Sequence, residues 1–427
     1  MERSDARHGL SVHHAVGWPG VIAFMRIQSE AMLKNQWYAV EFVHLVGTTP
    51  HKVQVMGQDL VLYRTARGDL VAHNDLCVHR GGALSGGSVH GDCIRCPYHG
   101  WEYGPDGACT KIPSTAAGVP IPRKARTDNY PVVERYGFIF VFLGDAPEHE
   151  RPPVPPIETL EPTAKAQADG YAVVHGEFLW NANFERVIEN AVDIAHTPFV
   201  HAGSFGNPDK PEIDDFELVE LHDDRGRLIG AQTTVELDPP PASGMWKYLR
   251  KGKERPLVKT KTGLYFPNVS LLEVNLPLGQ LKIFTAAVPV DEHTTISKWT
   301  MLRTFFTGKW ADKNSYGRTM KIFYEDQPTV EGQRPELIPF DLSAELHVKS
   351  DSLQLAYRRW RSAQYEAGNG IEPHRIVTAD DLRTRTVIPS PARRENPELA
   401  NAWVLKEVAS RMIESDRAKA KTATAKP

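Results

Sequence analysis

Alternating and continuously apolar stretches dominate the first third of the chain. Alternation of apolar and polar residues predicts strands at Lys52–Met56, Leu60–Arg64 and Leu70–His73. The run Gly137–Gly144 (GFIFVFLG) is apolar throughout and predicts a strand buried on both faces. We therefore expect an all-β region at the start of the chain.

The rest of the chain predicts helices that cover a second sheet. Tyr171–Trp180 predicts a strand, and Asn181–His196 predicts a helix with one apolar stripe. Gly263–Phe306 alternates as several long antiparallel strands do, and residues 311–327 and 342–366 predict helices. The fold class is therefore α+β, an all-β domain followed by a helix-covered antiparallel sheet.

A stiff segment, Arg151–Pro156 (RPPVPP), marks the boundary between the two parts. The last residues, rich in Ala, Lys and Thr, cannot build a core and predict a frayed tail. The predicted division is an N-terminal arm at 1–32, a first domain at 33–148, a second domain at 149–414 and a tail at 415–427.

Composition narrows the class of protein. The 427 residues carry a net charge of −3, so no basic surface for nucleic acid is expected. No apolar run is long enough for a membrane span. Only four cysteines occur, all between Cys77 and Cys109, which favours a metal site in a reducing, cytoplasmic compartment over disulfides.

Two cysteine–histidine pairs form the strongest motif. They are Cys77-Val78-His79 and Cys96-Pro97-Tyr98-His99, each with a glycine within two residues after its histidine. Two Cys on one iron and two His on the other is the ligand set of a Rieske [2Fe–2S] cluster. A Cys2His2 zinc site has the same ligands, but zinc fingers place both Cys on one side and both His on the other. The mixed pairs therefore favour the cluster.

A second metal site is predicted where the helix Asn181–His196 ends. Asp193 and His196 lie on its polar face, and His201 follows five residues later. Such a face is often solvated surface, but it carries no Lys and leads directly to a second His. Two His and one carboxylate on one face are typical of non-haem Fe(II) oxygenases. We take Asp326 as the third ligand and its neighbour Glu325 as the alternative.

Both motifs resemble one family. Cys77–Gly81 and Cys96–Trp101 resemble the loops of Rieske proteins, without the extra cysteines that join the loops in respiratory complexes. Asn190-x2-Asp193-x2-His196-x4-His201 is similar to the iron motif of Rieske oxygenase α subunits. The residues after Asp326 look like those of the vanillate O-demethylase and dicamba monooxygenase branch, although Val330 lies one residue late.

The resemblance implies a function and an assembly. It implies a helix-grip, START-like catalytic domain and a homotrimer, in which Asp193 links His99 of one subunit to His196 of the next. It also implies electrons from an NAD(P)H-dependent reductase, directly or through a ferredoxin. O2 would then hydroxylate or demethylate an organic, aromatic substrate. Ring cis-dihydroxylation is the alternative reaction, and a simple Rieske electron-transfer protein is the alternative class.

Overall fold

The structure is a computed structural model, and it describes residues 32–160, 166, 169–213, 216–239, 257–371 and 386–411. The predicted tail lies outside these residues. So does the predicted arm, apart from Met32, which is buried. Among the described helices, none is both long and apolar enough to cross a membrane.

Residues 32–160, here called the N-terminal region, are built from short antiparallel strands. The strands are β1 (Gln36–Phe42), β2 (His51–Val55), β3 (Gln58–Arg64), β4 (Leu70–Asn74), β5 (Ser88–His90), β6 (Cys93–Arg95), β7 (Glu102–Tyr103), β8 (Cys109–Lys111), β9 (Asn129–Tyr130), β10 (Val132–Arg135) and β11 (Phe138–Leu143). They form three sheets with the orders β1-β11-β10, β2-β3-β4-β9 and β5-β6-β7-β8. The predicted all-β region is confirmed.

Residues 169–371, here called the C-terminal region, contain one large antiparallel sheet. Its strands are β12 (Ala172–Trp180), β13 (Glu217–His222), β14 (Leu228–Leu237), β15 (Val258–Tyr265), β16 (Val269–Leu276), β17 (Gly279–Pro289) and β18 (Thr295–Arg303). Strands β13 to β18 follow one another across the sheet, and β12 pairs with β18 at the far edge. The helix-covered sheet is confirmed. Strands β13 and β14 were not predicted.

The remaining elements cover this sheet or close the chain. The helices are α1 (Phe184–Val192), α2 (Thr197–Val200), α3 (Asp312–Gly332), α4 (Ser352–Glu366) and α5 (Ala392–Glu395). Four two-residue strands complete the described elements: β19 (Gly370–Ile371), β20 (Thr386–Val387), β21 (Lys406–Glu407) and β22 (Ser410–Arg411).

Three helix boundaries differ from the prediction by four residues or more. The predicted helix 181–196 ends at Val192, because Asp193 is extended, with φ −75° and ψ 123°. Helix α3 runs past its predicted end at 327, through Pro328 to Gly332, because burial of Val330 in the core outweighs the proline signal. The predicted helix 342–366 begins only at Ser352, because two 3-10 turns occupy its first part.

The large sheet separates two cores. On one face it packs against the N-terminal region, where Phe138 and Phe140 share a buried cluster with Leu271 and Phe284. On the other face, here called the helix face, it shares a second buried cluster with α1, α3 and α4. The sheet therefore stands between the main body of the N-terminal region and the helices.

The described end of the chain returns to the N-terminal region. The Arg393 guanidinium donates to both oxygens of Asp128 at 2.8 Å, and the Ile388 N–H donates to the Gln58 side chain at 2.7 Å. Residues 386–411, which the sequence division assigned to the second domain, thus pack on the first part of the chain. The division itself remains a prediction.

Two candidate metal sites

Two loops of similar shape carry the predicted cluster ligands. One loop follows β4 and the other follows β6, and the four ligands are Cys77, His79, Cys96 and His99. In each loop the backbone carbonyl of the cysteine accepts a hydrogen bond from the N–H of the glycine four residues later. The distance is 2.9 Å for Gly81 and 3.1 Å for Gly100. Both glycines have φ +70°, where a side chain would be strained, so glycine closes each loop.

The four side chains lie close together, with the cysteine sulfurs toward the protein interior and the histidine rings toward the surface. The two cysteines are each 2% exposed, while the rings of His79 and His99 lie 4.5 Å apart between centroids and nearer the surface. A Cβ on Gly82 would lie 3.2 Å from the Cys96 sulfur, so this backbone lies close to the thiol. The arrangement matches a cluster with one buried iron and one iron toward solvent.

The donors fit a metal cluster better than a disulfide or a hydrogen-bonded core. Both cysteines are free thiols, and His79 Nδ1 is buried with no hydrogen-bond partner in the described structure. Burial raises the pKa of the Cys77 thiol, so a thiolate there needs a nearby cation. The Tyr103 hydroxyl lies 3.1 Å from the Cys77 sulfur and would donate to a thiolate.

The second site brings together ligands from two elements. His196 precedes α2, His201 follows it, and Asp326 lies on α3. His196 Nε2 and His201 Nε2 are 3.2 Å apart, and they lie 3.4 and 3.2 Å from Asp326 Oδ1. Donors at right angles around a metal with bonds of about 2.1 Å lie roughly 3 Å apart. The three atoms therefore fit one face of a metal ion and leave the opposite face open.

Electrostatics favour a cation between these side chains. Burial opposes the charged imidazole, but Asp193 and Asp326 raise the pKa of His196 to about 9. Burial likewise opposes the charged form of Asp326, but its contacts with His196 and His201 hold the pKa of the carboxyl below its usual value. A divalent metal satisfies the same carboxylates once the histidine proton has left.

Glu325, the alternative third ligand, lies apart from the three converging donor atoms. Its Oε2 lies 2.9 Å from His201 Nδ1, on the far side of the ring from Asp326. Its other oxygen accepts from Ser204 Oγ at 2.7 Å. Burial opposes ionisation, but these two hydrogen bonds hold the pKa of Glu325 below its usual value. A carboxylate can only accept, so His201 carries its proton on Nδ1 and presents a bare Nε2.

Asp193 lies beside the site and reaches the surface. One of its oxygens accepts from the Ala195 N–H at 2.8 Å, and the other lies 3.6 Å from His196 Nδ1, longer than a hydrogen bond. His196 Nδ1 is buried with no other partner in the described residues, and the Asp193 side chain is 28% exposed. The carboxylate can thus face His196 and a neighbouring molecule together.

Buried ion pairs fix the helix that leads to the site. Glu185 pairs with Arg361 and Glu189 pairs with Arg358, both at 2.6 Å. The polar face of α1 is therefore neither solvated nor directed wholly at the metal, since its first part binds α4. The sequence could not show this, because the partners lie more than 160 residues away.

The contacts of two further side chains were missed by sequence reasoning. The hydrogen bond of Tyr103 to Cys77 joins β7 to the loop after β4, although the position of Tyr103 four residues after His99 is a possible signal. Trp101 stacks on His79, with 4.6 Å between centroids and 5° between planes. The sequence also left open which strand residues of the large sheet face the helices. The residue pairing between neighbouring strands answers this for the described strands.

Two family models match the chain. The Rieske [2Fe-2S] domain matches residues 36–131, which include the two loops. The vanillate O-demethylase oxygenase C-terminal domain matches residues 180–367, which include His196, His201 and Asp326. Together they cover both candidate sites.

Curated proteins and solved structures agree with the family models. The chain is 30% identical over 311 residues to phenoxybenzoate dioxygenase subunit alpha of Ectopseudomonas oleovorans, covering 67% of this chain and 69% of that protein. It is 28% identical over 348 residues to methylxanthine N1-demethylase NdmA of Pseudomonas putida, covering 78% and 90%. The structure of Pseudomonas putida CBB5 NdmA with caffeine matches with a TM-score of 0.64 and 25% identity, covering 78% and 91%.

Proposed function

Because this chain belongs to the Rieske-type non-haem iron oxygenases, as a terminal oxygenase (α) subunit, we propose that its main reaction is demethylation of an aromatic substrate. The observation that carries the proposal is the match of residues 180–367 to the vanillate O-demethylase oxygenase domain. The similarity to a methylxanthine N1-demethylase supports the same chemistry. Ring cis-dihydroxylation is the second candidate, because another relative is a dioxygenase subunit.

The demethylation balances with two electrons. An N- or O-methyl compound, O2, two electrons and two protons give the demethylated compound, formaldehyde and water. Members of this family take the electrons from a reductase or a ferredoxin. When bound, the cluster supplies one-electron transfer and the mononuclear iron supplies O2 activation.

We assign the ligands as the sequence predicted them. Cys77 and Cys96 hold the buried iron of the cluster, and His79 and His99 hold the outer one. The mononuclear iron is held by His196, His201 and Asp326. The convergence of their three donor atoms within 4.8 Å supports this assignment. Glu325 is a positioning residue that fixes the proton of His201 on Nδ1.

We also propose a homotrimer in which Asp193 connects two subunits. The large sheet stands between the main N-terminal core and the helix face that carries the second site, which disfavours electron transfer within one chain. The exposed His99 and the half-exposed Asp193 support a contact between neighbouring molecules. In that contact the carboxylate would orient His196 and accept from His99 of the next subunit. The four free cysteines suit a reducing, cytoplasmic location.

The test is product analysis with a surrogate reductase. The iron-loaded protein, NADH and a reductase would be screened under 18O2 against methoxyarenes, N-methyl heteroarenes and aromatic acids. Demethylation predicts equal amounts of O2 consumed, formaldehyde released and demethylated product. A cis-diol carrying two labelled oxygens would establish the second candidate instead. Cluster reduction without substrate-dependent O2 consumption across the panel would contradict both.

A further inference from the structure

Two threonines on the helix face have hydroxyl groups without a partner. Thr233 on β14 and Thr262 on β15 are each 1% exposed, and neither Oγ1 forms a hydrogen bond in the described structure. They are directly paired across the two strands, so both side chains lie on the same face of the sheet. An unpaired buried hydroxyl is costly, and two side by side indicate a missing polar partner.

The pair lies on the side of the sheet that carries the iron ligands. Two residues along β14 from Thr233, on the same face, Val235 shares a buried cluster with Ile194. Ile194 lies between Asp193 and His196 in the sequence. The spacing along a strand puts Thr233 about 7 Å from Val235. The hydroxyls are therefore one step along the sheet from the chain segment that leads to His196.

The same row of the sheet is not fully covered beside the pair. Thr262 is paired with Leu272, and Leu272 with Ile283, so these side chains share the helix face. Both apolar residues are only partly buried, although they lie in the middle of a covered sheet. An apolar wall with a few polar groups is the usual lining of a small-molecule site.

The charges around this space disfavour an anionic ligand. In the described strands, the charged residues on the helix face are Glu220 and Arg303, and both are in ion pairs, with Arg359 and Asp312. The nearest charged groups of the metal site are the carboxylates of Asp193, Glu325 and Asp326. The charge of the bound iron would offset these carboxylates, and the helix face of the described strands offers no unpaired cation to hold a negative group. A neutral carbonyl oxygen, in contrast, could accept from both hydroxyls with its two lone pairs.

We propose that Thr233 and Thr262 form a substrate subsite for an uncharged hydrogen-bonding group, such as a ring carbonyl, on a neutral aromatic or heteroaromatic molecule. The proposal rests on the proposed function, since it describes the substrate of the same site. It narrows that function to neutral polar arenes in preference to aromatic acids. The two hydroxyls fix the ring in the plane of the sheet, and the group to be oxidised faces His196 and His201.

Calorimetry on the holoenzyme tests the subsite without turnover. Three probes would be titrated into the iron-loaded, cluster-containing protein: N-methyl-2-pyridone, which has a carbonyl; methoxybenzene, which has none; and 3-methoxybenzoate, which is anionic. The wild type is expected to bind the pyridone most tightly. Thr233→Val and Thr262→Val should each weaken pyridone binding about five-fold, because each removes one hydrogen bond. Binding of methoxybenzene should change little.

Three controls keep the result interpretable. Thr234→Val alters the neighbouring position of β14, which faces the other side of the sheet, and should leave all three affinities unchanged. Thr233→Ser and Thr262→Ser keep the hydroxyl and should restore most of the pyridone affinity. An unchanged near-UV circular dichroism spectrum and an unchanged iron content show that each variant is folded.

Two outcomes would overturn the subsite. One is a wild type that does not bind the pyridone more tightly than the benzoate. The other is valine variants whose pyridone affinity equals that of the wild type, which would mean that the hydroxyls bind only water. If the binding pattern is as expected but no probe supports O2 consumption with reductase, the subsite stands and the proposed reaction fails.

Discussion

The two candidate metal sites are built in opposite ways. The proposed cluster ligands all fall within 23 residues, Cys77 to His99, in two loops that use the same backbone turn. The proposed iron ligands come from the two ends of α2 and from α3, more than a hundred residues later. The first site is held by local backbone hydrogen bonds. The second depends on the packing of α1 and α3 against a sheet.

The sites also differ in what surrounds them. The cluster imidazoles reach toward solvent, where an electron donor can approach. His201 and Asp326 are 2% and 5% exposed. Buried ion pairs between α1 and α4 fix the helix that leads to this site. A local, accessible site suits electron entry, while a buried site with an open coordination face suits oxygen chemistry. Changes at one site should therefore leave the other intact.

The largest effect is expected from removing one ligand at either site. Cys96→Ala and His201→Ala should each lower reductase-dependent O2 consumption about 1,000-fold or more, because each removes a required metal. Cys96→Ala should lose the visible absorption of the cluster, while His201→Ala should keep it. If His201→Ala also lost the cluster spectrum, the two sites would not be independent.

Asp193→Asn should separate the sites functionally. The amide keeps the shape but loses the charge beside His196 and, in the proposed trimer, the acceptor for His99 of the next subunit. Turnover should fall about 100-fold or more, while stopped-flow reduction of the cluster by reductase is unchanged. Asp209→Asn, at an exposed acid outside both sites, is the matched control. Turnover near the wild-type rate in Asp193→Asn would refute the connecting role.

Glu325→Gln should weaken the iron site without removing it. The amide accepts less strongly from His201 Nδ1, so the ring is held less firmly and its Nε2 is less basic. The dissociation constant for Fe(II), measured by anaerobic titration, should rise about 10- to 100-fold. Glu331→Gln alters another acid of the same helix that contacts neither iron histidine in the described structure, and it should have no such effect. Equal affinities in Glu325→Gln and wild type would exclude the positioning role.

The smallest effect is expected at the cluster. The Tyr103 hydroxyl lies 3.1 Å from the Cys77 sulfur, and its hydrogen bond stabilises the more negative, reduced cluster. Tyr103→Phe removes this hydrogen bond. The reduction potential should fall by on the order of 50 mV, since a hydrogen bond is worth about 1 kcal/mol and one-electron couples shift 59 mV per factor of ten. Tyr63→Phe, which loses a contact with His73 instead, is the control. A potential that stays unchanged in Tyr103→Phe would mean that the hydroxyl does not donate to the sulfur.

The contrast between the sites also explains what the sequence could predict. The four proposed cluster ligands could be predicted from their short spacing, because chemistry and loop geometry are local there. His196 and His201 could be predicted as ligands for the same reason. The choice between Glu325 and Asp326 was open, since neighbouring residues on a helix point about 100° apart and only packing decides which one faces the histidines.

Long-range partners account for the remaining differences. Arg358 and Arg361 bind the polar face of α1 from far along the chain, so the sequence could not show that this face is buried. The early end of α1 depends on the extended Asp193, whose backbone conformation no periodicity reveals. Strands β13 and β14 lie at one edge of the sheet, and polar residues such as Glu220 and Thr233 occupy their covered face, so the sequence shows no clear apolar alternation there.

The identity of the third iron ligand tests the account most directly. Purified wild type, Asp326→Ala and Glu325→Gln would be saturated with Fe(II), freed of excess metal, and analysed for iron per chain together with the cluster EPR signal. The account predicts that wild type and Glu325→Gln hold the two cluster irons and one more, while Asp326→Ala holds only the cluster irons with an unchanged signal. Loss of the additional iron from Glu325→Gln, with its retention in Asp326→Ala, would contradict it.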